Sequence, residues 1–383
     1  MVPTMGEASD NETKLRILAL EPYYGGSHRA FLDGWAGASR HHFRLLTMPA
    51  RKWKWRMRGS AMWCAQRLAG SDPAGEFDLI LTSDMMPVAD LRALLPRALA
   101  DLPVVCYFHE NQLTYPLSPD DRRDYQYAFT NMASCLAADE VWFNSAYHRA
   151  GYLAAIDKLL NEMPDCVPPG IAATIAAKSR VMHPGVGLSG LERPPVLAPG
   201  QPPVILWNHR WEYDKGPEAF FQALFSLSEA GVPFRLLVAG ERFRTRPAIF
   251  DEARRRLADR IDHFGYYQTR QAYLEALQSA DLVVSTAIHE FFGLAVIEAM
   301  AAGCFPILPE RLSYPELIPA ELRSLVFYQH DSQLGAKLAA FLRAPPAQEP
   351  WRALVDHAGR FAWERRAAEF DDGLERVAAR RSA

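Results

Sequence analysis

Glu290 and Glu298, with seven residues between them, bracket the segment Phe291-Phe292-Gly293-Leu294-Ala295-Val296-Ile297, which follows an apolar run and opens a helical pattern. That spacing covers about two helical turns, roughly 10 Å along an axis, so both carboxylates can serve one elongated ligand. Between them, the amides of Phe292, Gly293 and Leu294 begin the helix, where N–H groups lack intrahelical acceptors and favour anionic oxygens. Hydroxyls, then negative charge, then hydroxyls describe a diphosphate with a sugar at each end. Positive charge stands nearby in sequence: Trp207-Asn208-His209-Arg210 closes another apolar run, and Lys215-Gly216 follows. Arg210 and Lys215 are suited to stabilise a departing diphosphate. Asp-x-Asp is absent from the chain, so a metal-bridged pyrophosphate is disfavoured, and neither a metal nor a cofactor is expected.

The N-terminal half carries a second set. In Tyr24-Gly25-Gly26-Ser27-His28, Gly25 and Gly26 let backbone approach a ligand where a side chain would obstruct it. His109-Glu110-Asn111-Gln112 emerges from the apolar run ending Tyr107-Phe108, and such a polar cluster is costly unless it meets water or a ligand. His109 is accordingly expected at the active site. Arg51-Lys52-Trp53-Lys54-Trp55-Arg56-Met57-Arg58 interleaves cations with aromatics, a pattern suited to phosphates and unpaired bases. It equally fits an amphipathic segment with buried tryptophans and solvated cations.

These residues need a frame that brings distant segments together. The 383 residues exceed one ordinary core and predict two domains. With 49% apolar and 23% charged residues, the chain has the balance of a globular enzyme, and a net charge of −3 argues against coating nucleic acid through bulk positive charge while leaving room for a local basic site on one face. Residues 1–14 are polar and predict a mobile tail with no secretory leader. Five scattered cysteines without a Cys-x-x-Cys suggest neither a disulfide framework nor zinc. A cytoplasmic location is the expectation.

Short apolar runs alternating with helical stretches predict an α/β chain with two parallel sheets. The first series occupies 15–190, with strands at Leu15–Leu20, Phe77–Thr82, Pro103–Phe108 and Glu140–Phe143 and helices at Ala89–Leu99 and Asp124–Ala137. The second occupies 204–345, with strands at Val204–Trp207, Phe234–Ala239, Ile261–Phe264, Leu282–Ser285 and Phe305–Leu308. Residues 191–203, crowded with Pro and Gly, read as the linker, and one C-terminal helix is expected over 351–380. Two such domains place a cleft at the carboxyl ends of their strands, where ligands bind in open α/β sheets.

The Glu290/Glu298 pair with Arg210 and Lys215 resembles the E-x7-E signature of retaining GT-B glycosyltransferases of the family-4 type. That resemblance implies that Glu290 contacts the transferred sugar, Glu298 the ribose, and Arg210 and Lys215 the diphosphate. It further implies that the loops carrying Gly240 and Tyr266 hold the base, and that Gly25 and Gly26 face the donor from the opposite wall. A narrower likeness rests on Glu21-Pro22-Tyr23-Tyr24-Gly25-Gly26-Ser27-His28, Pro49 to Arg56, Phe108 to Pro116, and Phe143-Asn144-Ser145. These blocks look like the tRNA-queuosine alpha-mannosyltransferases. The likeness implies transfer of mannose, with retention, from GDP-mannose to the cyclopentene-diol of queuosine in the anticodon of tRNA-Asp. Under it, Ser27, His28, Lys52, Trp53, Lys54, Trp55, Arg56, Glu110 and Asn111 become acceptor contacts, with no stable membrane association. Two alternatives share the donor residues: a family-4 enzyme acting on a lipid or glycan, and a GT-B scaffold that binds tRNA or nucleotide sugar without transfer.

Overall fold

A computed structural model describes residues 14–69, 75–117, 122–191, 200–242 and 246–380. All but one residue of the expected tail, and residues 192–199 of the expected linker, lie outside these. The chain builds two six-stranded sheets, each wholly parallel. The first holds β1 (Arg16–Tyr24), β2 (His42–Pro49), β3 (Leu79–Ser83), β4 (Val104–Phe108), β5 (Glu140–Phe143) and β6 (Ser179–Val181), ordered β2-β1-β3-β4-β5-β6. The second holds β7 (Val204–Asn208), β8 (Arg235–Ala239), β9 (Ile261–Gly265), β10 (Leu282–Val284), β11 (Phe305–Pro309) and β12 (Phe327–Tyr328), ordered β12-β11-β10-β7-β8-β9. The central strands β3, β4, β5, β10 and β11 are buried at every residue, as a parallel sheet covered on both faces requires.

Three strands were not expected. β2 is an edge strand whose burial pattern is mostly exposed or intermediate, so its residues never form the apolar run that marks a central strand. β6 and β12 have three and two residues and close the opposite edges. The helix expected over Ala89–Leu99 is instead two, Val88–Leu94 and Arg97–Ala100. Pro96 between them has no N–H to give and its ring crowds the preceding turn.

The helix expected over 351–380 is also corrected to two, Gln348–Ala358 and Trp363–Ala379, parted by a turn at Gly359–Phe361. Pro350 falls in the first turn of the former, where its missing N–H costs nothing. The break lets each half pack on a different domain. Trp351 donates from its indole to the Gly303 carbonyl at 3.0 Å, in the second domain. Trp363, Phe370 and Leu374 enter the first domain's core with Trp35, Tyr107 and Trp142. Asp371, buried in that core, accepts from the Trp35 indole at 2.9 Å and from Ser39 Oγ at 2.7 Å. The last helix thus completes the domain that the chain built first. Its return runs beside the outward crossing: Val186 N–H donates to Phe361 O at 2.7 Å, and Trp363 N–H to Val186 O at 3.2 Å.

The indole of Trp363 lies so close to the backbone at Gly34 and Gly185 that a Cβ at either would stand 2.2 Å from it. Trp363→Ala is expected to cost about 3–5 kcal/mol by cavity formation, and Gly34→Ala about 1–3 kcal/mol by overpacking. Both should appear as a lowered unfolding temperature of the N-terminal domain in calorimetry, even though residue 363 is remote in sequence from that domain.

Candidate active site

The second domain contributes the floor of the cleft. β7 ends in Asn208-His209-Arg210, and a 3-10 turn, Tyr213–Lys215, brings Lys215 back beneath it. Gly216 follows with φ +61°, and a Cβ there would meet the Thr286 carbonyl oxygen at 2.3 Å, so the turn and the β10 loop interlock only through glycine. The amides of Ile288 and His289 donate to the Asp214 carbonyl at 2.8 and 3.1 Å, clamping the two loops.

Lys215 is nearly out of water, with 9% of its side chain exposed. Its ammonium donates to the His289 carbonyl at 2.7 Å and lies 3.1 Å from the Asp214 carboxylate and 3.6 Å from that of Glu290. Burial alone would raise the Glu290 carboxyl, but the Lys215 ammonium and the Phe292 amide hold it below its usual range. It is therefore a carboxylate at neutral pH. His209 and His289, flanking the ammonium, are pushed down to about 4 by burial and then by Lys215, and stand neutral.

Gly293 at φ +110° caps the helix Leu294–Ala301, and the amides of Gly293 and Leu294 have no acceptor among the described residues. Glu298, inside that helix, is held by Arg270 at 2.6 Å and by the hydroxyl of Tyr273 at 3.1 Å. Arg210 is half-exposed at the cleft, donating to the Tyr115 hydroxyl at 3.0 Å and pairing with Glu212 at 3.1 Å. The four residues expected to handle the donor thus line one side of the cleft, Glu298 farther along the same helix. Tyr266 is exposed on the loop after β9. Gly240 has a packing reason for being glycine: a Cβ would stand 1.8 Å from the His209 carbonyl oxygen.

The opposite wall comes from the carboxyl ends of β1, β3 and β4. Gly25 packs on Ala50, where a Cβ would approach to 2.4 Å, whereas Gly26, at φ +51°, opens on free space and Ser27 is exposed. His109 caps β4, its main-chain N–H donating to Asp84 Oδ1 at 2.9 Å and its ring boxed by Phe31, Tyr107 and His28. Burial, then His28 and His148, keep that imidazole well below its ordinary pKa.

His28, expected as an acceptor contact, is instead buried behind His109, its ring 4.0 Å away and its Nδ1 3.3 Å from Glu21. Burial opposes its charge, yet Glu21 overrides burial and raises it to about 9. Asn111 is likewise corrected. It is fully buried; its amide nitrogen serves Thr114 and His148, and its oxygen accepts from Leu113 and Thr114, so it shapes the loop rather than meeting a ligand. Glu110 remains half-exposed, bonded to Gln112 at 3.0 Å.

The basic-aromatic run divides between the two readings. Lys52, in the left-handed region at φ 55°, caps the helix Trp53–Leu68. Lys52, Lys54 and Trp55 are exposed, whereas Arg56 is buried and donates to the Pro49 carbonyl at 3.1 Å. Trp53 is half-buried against Tyr127, ring centres 5.0 Å apart. Arg56 as an acceptor contact is therefore withdrawn.

The sequence reading missed several groups. Asp84, fully buried with Oδ2 unpartnered and its carboxyl raised by burial to about 8, underlies His109. Its signal was available, since it closes the apolar run of β3. Tyr115 and Glu316 join the two walls. Glu316 accepts from the amides of Ala146 and Tyr147 at 2.8 Å each and lies 3.0 Å from His183. No local pattern marks it. Glu21, His28 and His109 also present ligating atoms within 4.8 Å of one another, the spacing of a cation site.

Two parallel-sheet domains facing across a cleft, with a buried lysine-glutamate pair at one helix start, have the GT-B architecture of glycosyltransferases. Solved structures share this fold: sucrose-phosphate synthase from Thermosynechococcus elongatus superposes with a TM-score of 0.73 at 17% identity, over 95% of this chain and 99% of that one. The alpha,alpha-trehalose-phosphate synthase (UDP-forming) from Burkholderia vietnamiensis follows at 0.67 and 15%, over 97% and 99%. A profile described as tRNA-queuosine alpha-mannosyltransferase N-terminal matches residues 16–186, and one described as glycosyl transferases group 1 matches 190–353. The tRNA-queuosine alpha-mannosyltransferase of Drosophila melanogaster is 36% identical over 87% of this chain and 88% of its own length. The chain belongs to the tRNA-queuosine alpha-mannosyltransferase family. A GDP-mannose-dependent alpha-(1-6)-phosphatidylinositol dimannoside mannosyltransferase of Mycobacterium tuberculosis is 30% identical over 44% of this chain and 43% of its own.

The neutral histidines give the site a pH signature. His109, His148, His209 and His289 all have depressed pKa values, so the stability they confer is present above the unfolded value of about 6.5 and lost as pH falls, through about 4 for His209 and His289. His28 has the opposite sign: raised to about 9, it contributes below about 6.5 and loses that contribution as pH rises through 9. Asp84, raised to about 8, and Glu212, raised by burial, also favour lower pH, two groups against four on the acid limb. The unfolding temperature should fall on both sides of about pH 6.5. Replacing His289 by Gln should flatten the acid limb measured by differential scanning fluorimetry; an unchanged limb would contradict this assignment.

Proposed function

We propose that this chain transfers mannose from GDP-mannose to the cyclopentene-diol of queuosine in tRNA-Asp, with retention at the anomeric carbon and without a metal ion. The observation that carries the reading is the buried Lys215–Glu290 pair beside the free amides of Gly293 and Leu294, in a chain of this family. As the bond from the anomeric carbon to the diphosphate breaks, negative charge grows on the leaving oxygen. Arg210, Lys215 and the helix start face that charge with donors fixed in a partly dry site, where electrostatic stabilisation is strongest. Glu290, a carboxylate, accepts from sugar hydroxyls and sets the sugar's orientation, while Glu298 serves the ribose.

The attacking diol hydroxyl loses its proton as it bonds to the anomeric carbon, and the departing phosphate oxygen takes that proton on the same face. No paired-carboxylate machinery of the glycosidase kind is then required. His109 is neutral and close to the cleft, so it donates or accepts one hydrogen bond to the reacting sugar without adding charge. Contacts between the walls, Arg210 to Tyr115 among them, exclude water that would otherwise hydrolyse the donor.

The test offers queuosine-containing tRNA with several sugar nucleotides and reads nucleosides by mass spectrometry. Hexose gain is expected with GDP-mannose alone, undiminished by EDTA. Lys215→Ala and Glu290→Ala should each lower kcat about 10²–10³-fold. Transfer to lipid extracts but not to tRNA would overturn the acceptor. Donor binding without turnover would overturn catalysis, and loss of activity in EDTA would turn attention to Glu21, His28 and His109 as ligands.

A further inference from the structure

The helices Trp53–Leu68 and Tyr125–Ala137 start at the carboxyl ends of β2 and β4, the ends that carry the cleft. Their first turns are tied together. Trp53 packs on Tyr127 at 5.0 Å, the Arg58 guanidinium lies 5.1 Å from the centre of the same ring, and Arg58 donates to the Gln126 side chain. On the solvent side of this pair, large apolar side chains stand in water: Trp55 is 57% exposed, Met62 53%, Tyr125 45% and Phe129 39%. Trp55, Arg58 and Met62 share one stripe of their helix at spacings of three and four, as do Tyr125 and Phe129 on theirs.

Charge in this region is segregated. From Pro49 to Ala69 there are six cations (Arg51, Lys52, Lys54, Arg56, Arg58, Arg67) and no Asp or Glu, in a chain whose net charge is −3. The helix Tyr125–Ala137 carries no charged residue, and Asp124 before it is spent capping the Gln126 amide at 3.1 Å. An exposed aromatic face edged by cations and free of acids suits a polyanion with unpaired rings, which is what a single-stranded RNA loop presents. A partner that left these cations unpaired is disfavoured, and a polyanion with exposed rings meets both features of the surface at once.

We infer that the joined outer faces of these two helices form a platform for RNA, stacking unpaired bases on Trp55, Tyr125 and Phe129 and neutralising phosphates with Lys52, Lys54 and Arg58. This deepens the tRNA reading above and rests on it for the identity of the RNA. It assigns to the helix Tyr125–Ala137 a contact that no motif of the sequence announces. The platform holds the nucleotides flanking the reacting one, so affinity for the loop does not depend on the modified base.

The test measures binding of an unmodified anticodon stem-loop transcript by fluorescence anisotropy across a salt series, with melting temperature and GDP affinity as checks on folding. Phe129→Ala should weaken binding about tenfold, and Phe129→Trp, which keeps a stacking ring, should restore it. Lys54→Ala should lower the slope of log affinity against log salt by about 0.7–0.9. Unchanged RNA affinity in Phe129→Ala and Lys54→Ala would overturn the platform, including the case where Phe129→Ala alters only self-association in sedimentation. The two readings fail separately. Wild-type chain that binds the stem-loop with these dependences but adds no hexose to queuosine-containing tRNA leaves the platform standing and defeats the proposed reaction. Hexose addition alongside indifferent variants does the reverse.

Discussion

A lysine ammonium with less than a tenth of its side chain exposed cannot stand alone, and much of the cleft is arranged around keeping Lys215 charged. Burying an unpaired ion costs several kcal/mol, so Asp214, Glu290 and the His289 carbonyl converge on it. That convergence in turn fixes the surrounding chain. The Asp214 carbonyl receives two amides from the β10 loop, Gly216 must be glycine to admit the Thr286 carbonyl, and His209 and His289 must stay neutral beside the cation. Two carboxylates already balance Lys215, so the uncommitted positive charge for an incoming diphosphate resides more in Arg210 and in the amides at Gly293 and Leu294. Arg210 is half-exposed and shares its partners with Tyr115 and Glu212, a placement that permits it to turn toward a ligand without leaving a buried charge unpaired.

The two walls are coupled by few but specific contacts. Glu316 reaches from the second domain to the start of the helix Ala146–Asn161, where its carboxylate meets the positive end of the helix dipole. His148, held from below by Asn144 and Asn111, stacks on Phe291 at 4.0 Å. The chain crosses between the domains at Val186 and Ala362, paired side by side, and Glu316 also reaches His183, close to the first crossing.

Sequence showed the periodic parts of this architecture and missed the parts that depend on distant neighbours. Glu140–Phe143 was bounded correctly because Val141-Trp142-Phe143 is an apolar run buried in a parallel sheet, and most other interior strands differ from expectation by a residue or two at their ends, whereas β1 runs past its expected end at Leu20 to Tyr24. β2 escaped because an edge strand need not be apolar. The break at Gly359–Phe361 escaped because only the pull of two separate cores on the flanking tryptophans determines it. Among the candidate residues, Glu290 and Lys215, picked out by their spacing at strand ends, are brought together by the fold, and Arg210 stands at the end of β7 beside its neighbour His209. His28 and Asn111 are buried behind the loops that the sequence picked out, since sequence does not say which polar residue faces outward and which braces the loop from behind. The exposed ring of Phe129 carried no local signal either. It becomes visible only when the helix before it is seen lying alongside.

Native interiors leave few polar atoms without a partner, so where such atoms gather is informative. Asp84 Oδ2, Asn208 Oδ1, His209 Nε2 and His289 Nε2 are all buried and unpartnered by protein, and all sit at the carboxyl ends of β3, β7 and β10, which form the cleft. Each adds a desolvation cost of about 1–3 kcal/mol if left unmet. Comparable groups elsewhere are satisfied at Asp371 and Asn111 but not at Tyr152, Arg260 or Trp363, so what distinguishes the cleft is that four such atoms share the strand ends that line it. Rigid walls of tryptophan, phenylalanine and tyrosine behind His109 and behind β7 prevent the chain from relaxing to cover these atoms. Stability held in the two cores is thereby what keeps an under-satisfied polar surface open toward the cleft, ready for a ligand rich in hydroxyls and phosphate oxygens.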